Sequence, residues 1–190
     1  MSTPNAYIFR KANPGDAERL ARVAERTFRE AFGALTAAEE MAVHCRASFG
    51  EAVQAGEISN PNMITLLAEE DRRLVGFAQL RWGNAPDCIS ASSPGEIQRL
   101  YVLNEWHGKG VAQGLMNACL EKMKIHGSKV VWLGVWEQNP RAIAFYRKFG
   151  FMEVGDQVFS LGSKAQRDII MARVTVREKP GDDTNDRSQG

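Results

Sequence analysis

Residues 96–123 contain the pattern that most restricts how this chain can fold. Residues 96–102 are rich in Ile, Leu, Tyr and Val, which predicts a strand. The two-residue period of a strand predicts that one face carries Glu96, Gln98, Leu100 and Val102. From Val111 onward the apolar residues recur at helical spacing, and Gly127 is expected to end that helix. The segment therefore predicts a strand, a short glycine-containing loop and a long helix.

The loop at residues 107–112 leads directly into the predicted helix. Backbone N–H groups at the start of a helix lack partners and carry partial positive charge, and glycines let a ligand approach, so the loop predicts a phosphate site. It does not match the magnesium-nucleotide loop, because Gly110 rather than Ser or Thr follows Lys109. It does not match the dinucleotide loop either, because Gln113 stands where a third glycine is required. For the loop alone, an ordinary strand-to-helix turn remains the alternative.

A second segment, residues 133–151, has the pattern of a strand followed by a capped helix. Asn139 is a predicted N-cap, Pro140 suits the first helical position, and Gly150 is expected to end the helix. Asn139 and Tyr146 are seven residues apart, which is two helical turns, so both can face one cleft. Taken singly, each could be structural, with Asn139 only capping and Tyr146 only packing.

With these two segments the chain resembles the GNAT N-acetyltransferase superfamily. The loop matches the form (Q/R)xxGx(G/A) at Gly110 and Ala112, while His107 replaces the usual Gln or Arg. The resemblance implies an acyltransferase with acetyl-CoA as its cosubstrate, Asn139 on the pantetheine arm and Tyr146 near the thioester sulfur. The residues expected to bind the cofactor are Leu100, Tyr101, Val102, His107, Gly108, Lys109, Gly110, Val111, Ala112, Gln113, Asn139, Ala142 and Tyr146.

A third segment narrows the resemblance to the PaiA type of spermidine/spermine acetyltransferases. It fits the pattern F-x-L-G-x-x-x-Q-x-D-x-I-M, with one residue of slack, at Phe159, Leu161, Gly162, Gln166, Asp168, Ile170 and Met171. This similarity implies a polyamine or another small primary amine as the acceptor. A protein or peptide N-acetyltransferase of the same fold, and a non-catalytic acetyl-CoA-binding regulatory protein, remain alternatives.

Amine acetylation needs a proton acceptor, because alkylamines have pKa values near 10 and attack only as neutral nucleophiles. PaiA-like enzymes often have a glutamate where this chain has Gln98, so we expect Glu96 to act as the base through a water held by Gln98. A surface charge at the strand edge is the alternative for Glu96. A main-chain N–H within residues 100–102 is expected to stabilise the oxyanion, and Tyr146 to protonate the leaving thiolate. His107 and Lys109 are expected to add positive charge near the pyrophosphate.

Composition excludes several other classes of protein. The 24 Lys and Arg residues against 23 Asp and Glu give a net charge of +1, so neither nucleic acid nor a membrane surface is an expected partner. The N-terminal segment has no apolar signal-peptide core, and no apolar run could cross a bilayer. Three widely spaced cysteines predict reduced thiols and a cytoplasmic location. Neither these cysteines nor the three histidines have the spacing of metal ligands, so no metal is expected.

The remaining segments predict one domain of the α+β class, a mixed but mostly antiparallel twisted sheet flanked by helices. The domain is expected to span residues 1–176, and the polar segment 177–190 is expected to be disordered. Thr36 to Glu39 have the spacing of a capping box that would open a helix with Met41, Cys45 and Phe49 inward. Residues 84–95 read as a loop, either a substrate lid or a plain connector. The oligomeric state stays open, and a homodimer paired through sheet edges is compatible with the sequence.

Overall fold

The computed structural model describes residues 7–34, 36–161 and 164–175. Its strands are β1 Ile8–Lys11, β2 Met63–Glu70, β3 Arg73–Trp82, β4 Pro94–Val102, β5 Val130–Trp136, β6 Met152–Leu161 and β7 Lys164–Val174. Its helices are α1 Ala17–Phe32, α2 Ala38–Phe49, α3 Glu51–Ser59, α4 Val111–His126 and α5 Pro140–Lys148. Short 3₁₀ helices, Pro14–Asp16 and Asn104–Trp106, precede α1 and α4.

The seven strands form one sheet in the order β1-β2-β3-β4-β5-β7-β6. Within the described residues every neighbouring pair is antiparallel except β4 with β5, which confirms the predicted mixed, mostly antiparallel sheet. A two-residue turn joins β2 to β3. Its central residues, Asp71 and Arg72, have positive φ values of 48° and 66°, as a tight hairpin turn requires.

Helices cover both faces of the sheet. On one face α4 buries Leu115, Cys119 and Met123 completely, and α5 packs beside it through Ile143. On the other face Leu20 and Phe28 of α1 pack with residues of α2 and of the sheet. The helical spacing that predicted α4 thus gives it an apolar stripe that faces the strands, and α1 has a similar stripe on the other face.

The helix that was expected to open at residues 36–39 differs from the expectation at its start. The capping box at residues 36–39 is wrong, because α2 begins at Ala38 with Ala37 at the N-cap, and no side chain caps it. The predicted inward residues Met41, Cys45 and Phe49 are buried. At the other end Gly50 adopts an extended conformation (φ −58°, ψ 152°), which interrupts the helix before α3.

None of the helices in the described part of the chain is both long and apolar enough to span a membrane. The polar segment 177–190 that was predicted to be disordered lies outside the described residues. Residues 83–93 connect β3 to β4, so the predicted loop at 84–95 is confirmed except at its end, where Pro94 and Gly95 already belong to β4. Ala85 and Ile89 in this connection pack against Trp132 and Ile170, so part of it rests on the sheet.

Candidate active site

The parallel pair β4 and β5 separates soon after it forms. The two strands pair only at Pro94–Val130, Gly95–Val131 and Glu96–Trp132. Beyond that point β4 runs on to Val102 and β5 to Trp136, each held only by its outer neighbour in the sheet. We call the opening between residues 97–102 and 133–136 the gap. Backbone groups that face the gap have no partner strand, so they are available to a ligand.

A β-bulge lies at the start of the gap. In the ladder between β3 and β4, Gln79 pairs with Arg99 and Leu80 pairs with Ile97, which leaves Gln98 unmatched. The side-chain oxygen of Gln98 is buried and has no hydrogen-bond partner in the part of the chain that the structure describes. A buried acceptor without a partner is uncommon, and a ligand or water entering the gap would satisfy it.

The bulge overturns the predicted arrangement of side chains on β4. The extra residue reverses the alternation, so Glu96 and Leu100 lie on opposite faces of the sheet. Glu96 bonds to Arg81 on the face covered by α1, α2 and α3, whereas Leu100 packs in the core beneath α4. The prediction that Glu96, Gln98, Leu100 and Val102 share one face is therefore wrong.

The loop before α4 has the geometry of an anion site. Gly110 is the N-cap of α4 with φ 89°, and Gly108 has φ 76°, conformations that favour glycine. The first bond of the helix runs from the N–H of Gly114 to the carbonyl oxygen of Gly110, and no side chain caps the helix. Within the described residues the N–H groups of residues 111–113 thus have no protein acceptor. These groups and the positive end of the helix suit a phosphate.

His107 has a different role from the expected one. Its Nδ1 accepts a hydrogen bond from Arg141 Nη1 at 3.0 Å, and its Nε2 lies 2.8 Å from the carbonyl oxygen of Val102. Arginine only donates and a carbonyl only accepts, so the ring is neutral with its proton on Nε2. In this arrangement His107 adds no charge and instead ties the end of β4 to α5. The Lys109 amino group lies 5.6 Å from the ring centroid of Trp106.

Asn139 is the N-cap of α5, as predicted. Its side-chain oxygen accepts a hydrogen bond of 3.1 Å from the N–H of Ala142. In the described part of the chain its amide nitrogen makes no bond, so two donors remain available to a ligand. The side-chain oxygen of Asn139 thus caps α5, which confirms the predicted N-cap. The expected contact between Asn139 and the pantetheine arm stays a prediction.

Tyr146 lies on α5 beside the gap. Its ring packs edge-on against Phe151 at 6.0 Å, and no described residue bonds its hydroxyl. Burial raises the pKa of Tyr146 above its ordinary value of 10.0, and Tyr101 and Cys119 raise it further. The hydroxyl therefore stays protonated at neutral pH and can serve as a proton donor.

Glu96 is 7% exposed and lies where the gap begins. One of its oxygens accepts a hydrogen bond of 3.2 Å from Arg81 Nη2, and the other accepts from Arg81 Nε. Burial raises the pKa of Glu96 above its ordinary value of 4.5, although Arg81 and Arg99 oppose the rise. The alternative that Glu96 is a surface charge at the strand edge does not fit a side chain that is buried in this way. A buried carboxylate of raised pKa is a stronger base than an exposed one.

The structure also brings residues to the gap that the sequence reasoning did not assign. Arg141 bonds His107, and nothing in its local sequence signals that contact. Asp168 on β7 is half-buried on the face opposite α4, and burial raises its pKa. The sequence signal for Asp168 is its place in the segment 159–171, which is similar to the PaiA type.

Comparison with known proteins agrees with this geometry. The Acetyltransferase (GNAT) family matches residues 18–151. The chain is 37% identical over 161 residues to an uncharacterized N-acetyltransferase of Mycobacterium tuberculosis, an alignment that covers 85% of this chain and 99% of the relative. It is 28% identical over 90 residues to the spermine/spermidine N(1)-acetyltransferase of Bacillus subtilis, covering 46% of this chain and 58% of the relative.

Among solved structures, the PaiA N-acetyltransferase of Thermoplasma acidophilum, crystallised with coenzyme A, superposes with a TM-score of 0.70. It is 25% identical, and the match covers 89% of this chain and 99% of that one. The predicted fold class and the predicted acyltransferase activity are thereby confirmed. The chain belongs to the GNAT acetyltransferase family.

Proposed function

We propose that this protein transfers the acetyl group of acetyl-CoA to a primary amine, with a polyamine or another small amine as the acceptor. One observation carries the proposal: the gap between β4 and β5 lies between the uncapped start of α4 and the unbonded hydroxyl of Tyr146. A phosphate site, free strand edges and a proton donor in that order match the chemistry of an acyl-CoA.

Coenzyme A would be held mostly by backbone groups. The N–H groups of residues 111–113 would bind the pyrophosphate, because they have no acceptor in the described chain. The facing edge of residues 100–102 and the amide nitrogen of Asn139 would bind the pantetheine arm. The coenzyme A in the similar Thermoplasma structure supports this choice of ligand.

Glu96 would act as the base, through a water bound to the side-chain oxygen of Gln98. The proton of the incoming ammonium passes to this water and from it to Glu96, which leaves a neutral amine to attack the thioester carbonyl. The unpartnered oxygen of Gln98 supports a water at this position. The bulge places Glu96 on the face opposite α4, so the acceptor would enter from that face.

Residues on both sides of the gap would assist the steps that follow the attack of the amine. A main-chain N–H within residues 100–102 would bond the oxyanion of the tetrahedral intermediate. When the carbon–sulfur bond breaks, the hydroxyl of Tyr146 would give its proton to the thiolate, and the nitrogen of the new amide would lose its extra proton, which returns to Tyr146 through water. A hydroxyl whose pKa is raised by burial and that has no other partner supports this assignment.

The choice of a polyamine rests on sequence similarity. The Bacillus subtilis relative is named for spermine and spermidine, and the segment 159–171 is similar to the PaiA type. The test measures acetyl-CoA consumption with polyamines, simple alkylamines, aminoglycosides, amino acids and peptides, and runs Tyr146→Phe beside the wild type. We expect turnover with polyamines that falls strongly in the variant. Turnover with peptides alone would refute the small-amine acceptor, and no turnover with any amine would refute the activity.

A further inference from the structure

We propose that Asp168, with the rings of Trp136 and Phe32, binds a second positively charged group of the acceptor, so that the preferred substrates are diamines and polyamines rather than monoamines. This inference rests on the proposed function. It assigns a substrate-binding role to a carboxylate that the proposed chemistry does not use.

The position of Asp168 follows from the sheet register. Asp168 is the cross-strand partner of Trp136, at the end of β5 that borders the gap. The face is the one opposite α4, from which the acceptor would enter. Asp168 is also near enough to Tyr101 on β4 for its charge to raise the pKa of that hydroxyl. Asp168 therefore faces the gap from the β7 side.

Gly134 keeps the space beside Asp168 open. This glycine is exposed although it lies in the middle of β5. A Cβ added to it would stand 3.5 Å from Oδ2 of Asp168 and 3.2 Å from Nε2 of Gln157. Any side chain at this position would fill the space between β5 and the carboxylate, so glycine leaves room for a ligand group there.

Within the described residues Asp168 has no hydrogen bond or ion pair, while the arginines around it are already paired. Arg167, its neighbour on β7, bonds Glu137 and Asp156, each at 3.1 Å. Arg99, across the gap on β4, bonds both oxygens of Glu57. A half-buried carboxylate without a cation is costly to maintain, and a ligand cation would remove that cost.

Two aromatic rings complete the surroundings. Phe32, at the end of α1, lies 6.0 Å from Trp136 between ring centroids. The faces of such rings attract ammonium groups, and a carboxylate beside them adds a charged hydrogen-bond acceptor. This combination selects an alkylammonium group over a neutral or anionic one.

The second cation site is distinct from the reacting end of the acceptor. Glu96 is the register partner of Trp132, and Asp168 is the partner of Trp136, four residues farther along β5. Four strand residues span about 13 Å. One acceptor can therefore have a nitrogen deprotonated near Glu96 and another held at Asp168, provided that several bonds separate them.

The experiment compares spermidine with butylamine, which has one amino group and no second charge. In Asp168→Asn we expect the KM for spermidine to rise about ten- to a hundredfold, because a charged hydrogen bond is lost, while kcat changes less than about twofold. The KM for butylamine should not change. The matched control is Glu153→Gln, which removes an exposed negative charge from the neighbouring strand β6 and should leave both KM values unchanged.

A second variant tests the open space beside Asp168 rather than the charge of its carboxylate. Gly134→Ala should raise the KM for spermidine more than that for butylamine, and circular dichroism on both variants verifies folding. If Asp168→Asn changed the KM for spermidine and the KM for butylamine equally, or changed neither, the inference would be overturned. The acetyltransferase activity would still stand. Absence of transfer to any amine by the wild type would refute the proposed function and this inference with it.

Discussion

Tyr101 and Tyr146 pack against opposite faces of the sheet, yet Tyr101 raises the pKa of Tyr146. Tyr101 contacts Phe28 and Phe77 on the α1 side, whereas Tyr146 packs against Phe151 on the α4 and α5 side. The two can interact because β4 and β5 are unpaired at this level. The gap thus connects both faces, and a cosubstrate and an acceptor can meet in it from opposite sides.

Removal of the Tyr146 hydroxyl tests the proton donor. We expect Tyr146→Phe to lower kcat about ten- to a thousandfold, the usual size of acid catalysis, with little change in the KM for acetyl-CoA. The ring packing against Phe151 should survive. Steady-state kinetics measure both constants, and Tyr7→Phe, which removes a hydroxyl next to the far edge strand β1, should keep wild-type kcat. Equal turnover in Tyr146→Phe would remove Tyr146 from the mechanism.

The pH profile tests the base. Glu96 must be deprotonated to act, so activity should fall as the pH drops through its raised pKa, and Glu96→Gln should lower kcat about a hundredfold or more at neutral pH. Arg81 lowers this pKa. In Arg81→Met the acid limb of the kcat/KM profile should therefore move to higher pH. Full activity of Glu96→Gln from pH 6 to 10, or an unmoved acid limb in Arg81→Met, would contradict the assignment.

The glycines at the two ends of α4 provide a matched pair of variants that tests the phosphate loop. Gly110 and Gly127 both have φ values in the left-handed region, 89° and 83°. Aspartate at either position should cost stability through backbone strain, but only Gly110→Asp adds bulk and negative charge at the pyrophosphate. Calorimetry should find no coenzyme A binding in Gly110→Asp and near wild-type affinity in Gly127→Asp. Unchanged affinity in Gly110→Asp would contradict the loop assignment.

Asp16 supports the start of α1 away from the gap. Its carboxylate accepts 2.8 Å bonds from Arg10, and this pairing holds its pKa well below the ordinary 3.8. A depressed pKa gives stability that is complete above the unfolded value and is lost as the pH falls through the folded value. Asp16→Asn should therefore lower the free energy of unfolding by about 2 kcal/mol at pH 7, and by progressively less below pH 3.8.

Urea titration at several pH values measures this loss. Asp87→Asn, in the exposed connection between β3 and β4, is the control and should leave the free energy of unfolding unchanged. A loss in Asp16→Asn that stays constant down to pH 2 would show that the depressed pKa is not its source.

Local patterns predicted much of the fold and of the loop. The apolar spacing of α4 and the glycines at 108 and 110 are properties of adjacent residues, so the sequence alone indicates them. Asn139 was predicted as a cap for the same reason, since the residue that it bonds is three positions away.

Contacts between distant segments were not predictable in this way. The bulge at Gln98 depends on how β3 and β4 align, and a single inserted residue reversed the expected face of Glu96. The neutral state of His107 depends on Arg141, 34 residues later in the chain. The open space at Asp168 depends on Gly134 in another strand. None of these relationships leaves a periodic mark in the sequence.

A crystal structure with coenzyme A bound tests the central claim most directly. We predict the pyrophosphate on the N–H groups of residues 111–113, the pantetheine arm in the gap between β4 and β5, and the sulfur within hydrogen-bonding reach of the Tyr146 hydroxyl. Coenzyme A bound elsewhere, or a gap that stays empty at millimolar coenzyme A, would contradict it.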